Sequence, residues 1–378
     1  MLSSFDHDVV CFSHLRWDFV YQRPQHLLSR FALESRVFFI EEPRFEDVVS
    51  PRCALERREN QLWTVTPVLP SDCEENPRRA AALRVLLDEV FAQMAIGRFV
   101  AWYYTPMALE FSKHLKPSLI IYDCMDELGM FARAPKHFSQ REAELLADAD
   151  VVFTGGPSLY EAKRKLHRNV HLFPSAVDAS HFRRALNSDT EPKDQSGLLR
   201  PRLGFYGVID ERMDVALVRE VADARPEWQI VLVGPVVKID ASTLPQRKNI
   251  HYLGIKHYDV LPSYLAGWDV AIMPFARNES TRFISPTKTL EYLAGRKPVI
   301  STGVRDVVEP YGRLGMISIA NDCAQFVLAA ERILAEPARR SFSSDAIVDS
   351  LSWDRTWKQM HELIAAQLLD GAVVAHSH

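Results

Sequence analysis

Lys288 and Glu291 have the types and spacing best suited to chemistry, because they lie one turn apart near the start of a predicted helix. A lysine in the first turn of a helix opposes the partial positive charge there by about 0.3 to 1 kcal/mol. A bound anion would reverse that sign, since backbone N–H groups, the hydroxyl of Ser285 or Thr287 and the Lys288 ammonium would all meet a diphosphate. Glu291 could then accept hydrogen bonds from ribose hydroxyls.

The ends of this helix are indicated by their residue types. Pro286 is favoured at the first helical position after a serine cap, and Gly295 is typical of a left-handed helix end. Helical spacing places Lys288, Glu291 and Tyr292 on one face, which we expect to point towards a cleft. The alternative is a Lys288–Glu291 pair on a solvated helix surface, worth about 0.2 to 0.5 kcal/mol, and spacing alone does not decide between the two.

The composition is that of an ordinary globular protein, and 378 residues predict two domains. A net charge of -4 gives no global reason to bind nucleic acid or anionic lipid. The five cysteines are scattered and lack metal-ligand spacing, so we expect neither disulfides nor a zinc site. The N-terminus shows no secretory pattern, and no uncharged apolar run reaches the ~20 residues that cross a bilayer, so the expected location is the cytoplasm.

Short β-branched or aromatic runs alternate with amphipathic stretches, which is the pattern of βα units that build parallel sheets. We predict an α/β fold of two doubly wound, Rossmann-like domains. Their boundary falls at Leu186 to Pro201, a polar stretch typical of a solvated linker. The predicted units are residues 1–185, residues 200–350 and a terminal helix over 351–370 that crosses back to the first unit.

The predicted elements alternate in both units. The predicted strands are Asp8 to Ser13, Arg36 to Glu41, Phe99 to Tyr103, Ser118 to Tyr122, Asp150 to Thr154, Val170 to Phe173, Arg202 to Tyr206, Gln229 to Val233, Ile250 to Leu253, Asp269 to Pro274, Pro298 to Ser301 and Met316 to Ala320. The clearest predicted helices of the first unit are Gln25 to Ala32, Arg79 to Ala95, Ser139 to Ala147 and Ser158 to Leu166. Trp353 and Trp357 lie four residues apart in the terminal helix, so both can be buried on one face.

Three segments resemble GT-B glycosyltransferases, specifically glycosyltransferase family 4. The segment from Ser285 to Gly295 is similar to the donor site of that family. Phe173-Pro-Ser-Ala-Val-Asp-Ala-Ser-His-Phe182 is similar to the end of its N-terminal domain. Leu203-Gly-Phe-Tyr-Gly-Val-Ile-Asp-Glu-Arg212 is similar to the strand and turn that approach the donor phosphates. The resemblance extends along almost the whole chain and implies a cleft between the two domains.

The resemblance implies an enzyme that moves a hexosyl group from a UDP- or GDP-linked sugar to an acceptor hydroxyl, with retention at the anomeric carbon. It further implies a role in the synthesis of cell-surface polysaccharide or glycoconjugate on a glycan or lipid-linked acceptor, which leaves peripheral association with the inner face of the membrane open. The nucleotide sugar is a substrate, and neither a cofactor nor a metal is expected. Backbone N–H groups, Lys288 and Arg212 would stabilise the leaving diphosphate instead.

Further donor-site residues follow from the resemblance. Gly207 would let the backbone approach the donor phosphates and Arg212 would supply charge, whereas the alternatives are a tight βα turn and a surface cap. Tyr252 to Phe275 is similar to the family's base-binding loop, helix and next strand. The loop would place Ile255 and Lys256 against the nucleobase.

Gln22, Arg23 and His26 follow the first predicted strand, and open α/β sheets usually bind ligands there. The segment around them is similar to a bacterial branch of family 4 that includes teichuronic acid biosynthesis-type enzymes. Arg23 would contact phosphate or acceptor, and the alternative is a salt bridge to Glu41 or Glu42. His26 lies in the helix and is more typical of a packed residue than of a catalytic one.

Asp126 and Glu127 follow the fourth predicted strand, where the resemblance puts polar groups on the acceptor side of the cleft. Either carboxylate could orient the acceptor hydroxyl or accept its proton, so both are candidate catalytic residues together with Lys288. The alternative is that these carboxylates cap the next helix or face solvent.

One departure from the family concerns its E-x7-E pattern, because this chain has Phe283 where the first glutamate belongs. Only Glu291 remains in register, and Glu279 or Asn278 could reach the donor sugar by another path. Two other functions therefore stay open. The chain could be a catalytically silent GT-B subunit that binds a partner, or a nucleotide-sugar epimerase of the same fold.

Overall fold

The computed structural model describes residues 6–74, 78–188, 190–336 and 344–375, and these residues form two separate sheets. The first sheet contains β1 Asp8–Phe12, β2 Val37–Ile40, β3 Arg44–Glu46, β4 Arg52–Arg57, β5 Leu62–Pro70, β6 Phe99–Tyr103, β7 Leu119–Cys124, β8 Val151–Thr154 and β9 Val170–Leu172. Its strand order is β3-β5-β2-β1-β6-β7-β8-β9. All pairs are parallel except β4 with β5, which is antiparallel.

The second sheet is built in the same way from the later part of the chain. It contains β10 Arg202–Tyr206, β11 Gln229–Val233, β12 Ile250–Gly254, β13 Val270–Met273, β14 Val299–Ser301 and β15 Ser318–Ile319. The order is β12-β11-β10-β13-β14-β15, and every pair is parallel. In each sheet the order of the strands reverses beside its first strand, β1 or β10. Such a switch point opens a crevice at the carboxyl ends of the strands.

Helices connect the strands and cover both sheets. The α-helices are α1 Arg23–Phe31, α2 Arg79–Gln93, α3 Leu109–Ser112, α4 Phe138–Asp148, α5 Pro157–Lys163, α6 Ala179–Arg183, α7 Lys193–Ser196, α8 Val215–Ala224, α9 Leu261–Ala266, α10 Lys288–Ala294, α11 Arg305–Val307, α12 Cys323–Ala335, α13 Asp345–Ser350 and α14 Trp353–Ala375. Short 3-10 turns lie at Ser71–Cys73, Pro106–Ala108, Leu128–Met130, Arg184–Leu186, Ala241–Thr243, Tyr258–Val260 and Glu279–Thr281, and a π-turn lies at Val308–Gly312.

Both faces of each sheet are buried because the central strands are apolar at consecutive positions. In β1, Val9 and Cys11 join the core on one face while Val10 and Phe12 join the core on the other. Successive side chains of a strand point to opposite faces, so an uninterrupted apolar run fits a sheet that helices cover on both sides. The same division of core residues recurs around β10.

All twelve predicted strands are present with small differences at their ends, but β3, β4 and β5 were not predicted. β5 contains Pro67, and a proline inside an apolar run argues against a central strand because it lacks the ladder N–H. The structure accommodates Pro67 where β5 changes its parallel partner. The β2 pairing ends at Val65 and the β3 pairing begins at Val68.

The prediction of a solvated linker over 186–201 is wrong in part. The segment contains α7, and the Gln195 side chain is completely buried. Its amide accepts a hydrogen bond from the Trp268 indole at 2.8 Å and donates to the Tyr264 carbonyl at 3.1 Å. A polar side chain is buried here because both ends of its amide find partners, which a count of apolar residues cannot reveal.

Helix α14 at the end of the described chain packs against α1. Trp353 is buried and stacks on His26 with ring centroids 4.6 Å apart and planes at 10°. Trp357 contacts the Phe31 ring edge-on, so both tryptophans face the first sheet's core. Among the described residues, no helix combines the length and the apolar character that crossing a membrane requires.

Candidate active site

The segment from Ser285 to Ala294 lies at the carboxyl end of the second sheet, and its first turn is open. Thr289 and Leu290 are the first residues whose N–H groups bond back, to Pro286 and Thr287 at 3.2 and 3.1 Å. Within the described part of the chain, the backbone N–H groups of Thr287 and Lys288 donate to no protein acceptor. These donors are free for a ligand.

Three details of the predicted helix are wrong. The Ser285 side chain does not cap it, and the Ser285 carbonyl instead accepts a hydrogen bond from the Ser175 hydroxyl at 3.0 Å. Gly295 has a φ of -74°, and the left-handed residue is Arg296 with a φ of 52°. Tyr292 does not face the cleft: it is completely buried, and its hydroxyl accepts the Tyr206 N–H at 3.1 Å. The helix is surrounded by protein, so its sequence has no clear polar face.

Lys288 lies across the backbone of Gly207 and has no carboxylate paired with it among the described residues. Burial lowers the pKa of Lys288, while the charges of Glu291, Asp210 and Asp126 act in the opposite direction. Gly207 has a φ of +133°, and a Cβ built there would lie 2.6 Å from the Lys288 Nζ. The backbone conformation therefore requires glycine at 207, and any side chain there would displace the end of the lysine. An unpaired, partly desolvated ammonium favours a bound anion.

Glu291 is 8% exposed, and its burial raises the pKa to about 7. The nearby Lys288 charge and contacts with Tyr206 and Thr287 lower the pKa and only partly offset that effect. Among the described residues the Tyr258 hydroxyl is buried without a hydrogen-bond partner, and the charge of Glu291 acts on it and on the buried Tyr206 hydroxyl. A ligand with several hydroxyl groups would satisfy this cluster.

Arg212 follows the first strand of the second sheet and extends towards the first domain. Its guanidinium binds Asp210 through two nitrogens, at 3.0 and 2.7 Å. It also lies over the ring of Phe131, 5.4 Å from the centroid. Phe131 belongs to the first half of the chain, so Arg212 stands between the two sheets.

Asp126 faces Arg212 from the first domain and is half-buried. Burial raises its pKa, and the charges of Arg212, Lys288 and Lys238 lower it. A carboxyl whose pKa is raised in a cleft is suited to accept a proton. Glu127 differs, because Lys163 binds it at 2.9 Å and also binds Glu142, away from the cleft.

Arg23 does not pair with Glu41 or Glu42, so that alternative is wrong. Its guanidinium binds Asp123 at 2.9 to 3.1 Å and the Phe173 carbonyl at 2.8 Å, and the side chain is 3% exposed. Glu41 instead accepts the Trp17 N–H and the Thr66 hydroxyl. The sequence does not reveal the ion pair of Arg23 with Asp123, because the two residues lie 100 positions apart.

Gln22 and His26 differ in their surroundings. The Gln22 N–H donates to the Gln25 side chain at 3.0 Å, and Gln22 lies beside the cleft. His26 is buried between Tyr21, Tyr258 and Trp353, and burial lowers its pKa well below the ordinary value. His26 is therefore a packed, neutral side chain.

Seven of the predicted residues line one cavity of about 100 Å³ between the two sheets. They are Gln22, Arg23, Asp126, Arg212, Ser285, Thr287 and Lys288. Met125, Gly155, Ser175, Val208, Phe275, Ile284 and Pro286 complete the lining. The cavity therefore combines donors for an anion on one wall with a titratable carboxylate on the other.

Residues 200–336 match the protein-family model described as "Glycosyl transferases group 1". This range holds Gly207, Arg212, Lys288 and Glu291 within one domain. The C-terminal part of the chain is a group 1 glycosyl transferase domain.

Several known proteins are similar to this chain over most of its length, beyond the group 1 domain. The putative teichuronic acid biosynthesis glycosyltransferase TuaH of Bacillus subtilis is 25% identical over 307 residues, which are 75% of this chain and 72% of TuaH. Sucrose-phosphate synthase from Thermosynechococcus elongatus has a TM-score of 0.72 at 14% identity, covering 96% of this chain and 100% of the synthase. Anabaena HepE in complex with UDP has a TM-score of 0.61 at 14% identity, covering 95% of this chain and 100% of HepE. The predicted GT-B fold is confirmed.

The predicted base-binding loop of the group 1 domain lies apart from the cavity. Ile255 is 52% exposed and follows Gly254, which has a φ of +68°. The Lys256 ammonium binds Asp194 at 2.7 Å, so it is engaged by the segment that precedes the domain. Their contact with a nucleobase stays a prediction.

Lys238 was not predicted and does not line the cavity, but its charge acts on Asp126, which does. It is exposed and has a φ of 62°, which is uncommon for a residue other than glycine. Its ammonium lies 5.9 Å from the centre of the Phe131 ring, and its charge lowers the pKa of His14 and of Asp126. Its position after the predicted strand Gln229 to Val233 could have indicated it, whereas its strained backbone conformation is not visible in sequence.

Proposed function

We propose that this glycosyltransferase moves a hexosyl group from a nucleotide diphosphate sugar to an acceptor hydroxyl, with retention at the anomeric carbon and without a metal. The observation that carries the proposal is the unpaired Lys288 ammonium across Gly207, beside the free N–H groups of Thr287 and Lys288. Three donors from two residues that line one cavity are suited to a diphosphate. The buried Glu291 would accept hydrogen bonds from the ribose of the same nucleotide.

The donor wall would act mainly on the leaving group. Departure of the sugar leaves negative charge on the diphosphate, and preorganised donors stabilise that charge more in the transition state than in the ground state. Lys288 and Arg212 supply positive charge, and the backbone N–H groups supply dipoles. These groups would stabilise the departing diphosphate by charge-assisted hydrogen bonds, and we propose that the reaction proceeds without a metal.

The acceptor would bind on the opposite wall, beside Asp126. Retention requires the acceptor hydroxyl to attack the anomeric carbon from the face that the diphosphate leaves, so the Asp126 carboxylate would orient this hydroxyl towards that face and accept its proton as the new glycosidic bond forms. Gln22 lies along the same wall and can hold further hydroxyls. Arg23 would act indirectly, because its ion pair fixes Asp123 at the end of the strand that leads to Asp126.

Similar proteins of known or assigned activity support this choice of substrates. HepE is described in complex with UDP and with UDP and glucose, and TuaH is named for teichuronic acid biosynthesis. We therefore propose a UDP- or GDP-linked hexose as donor and a glycan or lipid-linked acceptor, in the synthesis of a cell-surface polysaccharide or glycoconjugate. The proposed place of the reaction is the cytoplasm, at the inner face of the membrane when the acceptor is lipid-linked.

A panel of nucleotide sugars tests the proposal. Thermal shift identifies the donors that bind, and nucleotide release with and without glycan acceptors then measures their turnover. The proposal predicts slow release without acceptor and faster release with one. A protein that binds no nucleotide sugar contradicts the proposal. Binding without release favours the silent partner-binding subunit, and sugar isomerisation without transfer favours the epimerase.

A further inference from the structure

Helix α5 of the first domain begins against the second domain. Both carboxylate oxygens of Asp306 accept the Ser158 backbone N–H, at 3.2 and 3.3 Å, and Asp306 also binds the Ser158 hydroxyl. Asp306 is 4% exposed. An acidic side chain at a helix start satisfies its free N–H groups, but such caps normally come from the adjacent chain. Here the cap comes from the other domain, so it exists only when the two domains are closed on each other.

Gly156 shows that this closure is tightly fitted. Its φ is -169°, so the backbone itself would accept any residue. A Cβ at this position would nevertheless lie 2.5 Å from the Asp306 Oδ2 and 2.6 Å from the Ser285 Cβ. The domain opposite, and not the local conformation, therefore requires glycine at 156.

The same contact surface reaches the donor segment. Ser285 immediately precedes Pro286 and lines the cavity between the domains. Its carbonyl accepts the Ser175 hydroxyl of the first domain at 3.0 Å. The cap on α5 and the start of the donor segment are thus held by one interdomain contact.

We propose that Asp306 is a positioning residue that holds the two domains closed. Its contact with Ser158 keeps Asp126 and Lys288 on opposite walls of the cavity, at the separation that sugar transfer requires. Closure of this kind excludes water and completes a site assembled from two domains. Its consequence for catalysis rests on the proposed function, whereas the closure itself does not.

The test compares variants of the full chain by small-angle scattering and by nucleotide-sugar turnover. Gly156→Ala wedges the contact apart, and Asp306→Asn keeps the shape of the side chain but removes its charge. Gly97→Ala is the matched control for the wedge, because a Cβ at 97 meets nothing within 4 Å. Asp223→Asn is the control for the charge, since Asp223 pairs with Arg247 inside the second domain, where both side chains are at least 40% exposed.

We expect the radius of gyration to increase in Gly156→Ala and Asp306→Asn and to stay unchanged in the two controls. We expect kcat to fall by about tenfold or more while the UDP dissociation constant changes by less than about threefold, because the donor contacts lie within one domain. Ser158→Ala should lower kcat less, since the backbone N–H remains, and Ser158→Thr should restore it.

Two results would overturn the proposal. The first is an unchanged radius of gyration and kcat in both Gly156→Ala and Asp306→Asn. The second is an equal loss of UDP affinity and kcat, which would mean that the variants merely distort the donor site. If the wild-type chain transfers no sugar but both variants still open in scattering, the closure is supported and the proposed function fails separately.

Discussion

The pKa of Glu291 predicts an unusual dependence of stability on pH. Folding raises this pKa from 4.5 to about 7. A tenfold change in an acid constant corresponds to about 1.4 kcal/mol, so the folded state loses up to about 3 kcal/mol, relative to a side chain that does not titrate, as the pH rises. The contribution is complete below pH 4.5, where both states hold the proton, and is lost between pH 4.5 and about 7. Glu291→Gln removes the titration and keeps the size of the side chain.

The measurement is urea denaturation of the wild type and Glu291→Gln between pH 5 and pH 8. We expect the unfolding free energy of the variant, relative to wild type, to increase by about 1 to 3 kcal/mol over this range. Glu279→Gln is the matched control, because Glu279 has a side chain that is 67% exposed and its difference should stay flat. A Glu291→Gln difference that is also constant to within about 0.5 kcal/mol would refute the reasoning.

Three further substitutions test separate parts of the molecule. Gly207→Ala should weaken UDP binding by about tenfold or more in calorimetry, because a Cβ would displace Lys288, and Gly97→Ala should not; equal affinity would contradict the role of the glycine. Lys238→Ala should move the acidic limb of the kcat/KM profile to higher pH, because the Lys238 charge lowers the pKa of Asp126 and its removal raises that pKa. An acidic limb at the same pH would mean that Lys238 does not act on the titrating group. Trp353→Ala should cost about 3 to 5 kcal/mol in urea denaturation, because the ring is buried on His26, and a loss below about 1 kcal/mol would mean that α14 contributes little.

The sheets could be predicted because their strands are continuous apolar runs that need no distant information. β5 could not, since Pro67 is tolerated only where the strand changes partner. Tyr292 was assigned to the wrong face because positions 289–294 are buried all round, and an amphipathic pattern does not exist there. The local pattern of apolar and polar residues thus predicts an element well only where that pattern holds along its whole length.

Residue spacing alone predicted the site only where one segment supplies it, whereas Gln22, Asp126 and Arg212 were predicted from their positions after strands and from the family resemblance. Lys288 and Glu291 lie three positions apart, and helical spacing alone brings them together. The contact between Asp306 and Ser158 joins residues 148 positions apart, and neither residue type is unusual where it stands. Such partners become visible only when the two domains are brought together.

The assignment of the donor site depends above all on Lys288 binding the diphosphate. Calorimetry with UDP and with GDP, on the wild type, Lys288→Ala and the exposed control Lys165→Ala, measures this directly. A charge-assisted contact contributes about 1.5 to 3 kcal/mol, so we predict that Lys288→Ala binds the preferred nucleotide about tenfold or more weakly, while the control is unchanged. Equal affinity in all three proteins would contradict the assignment.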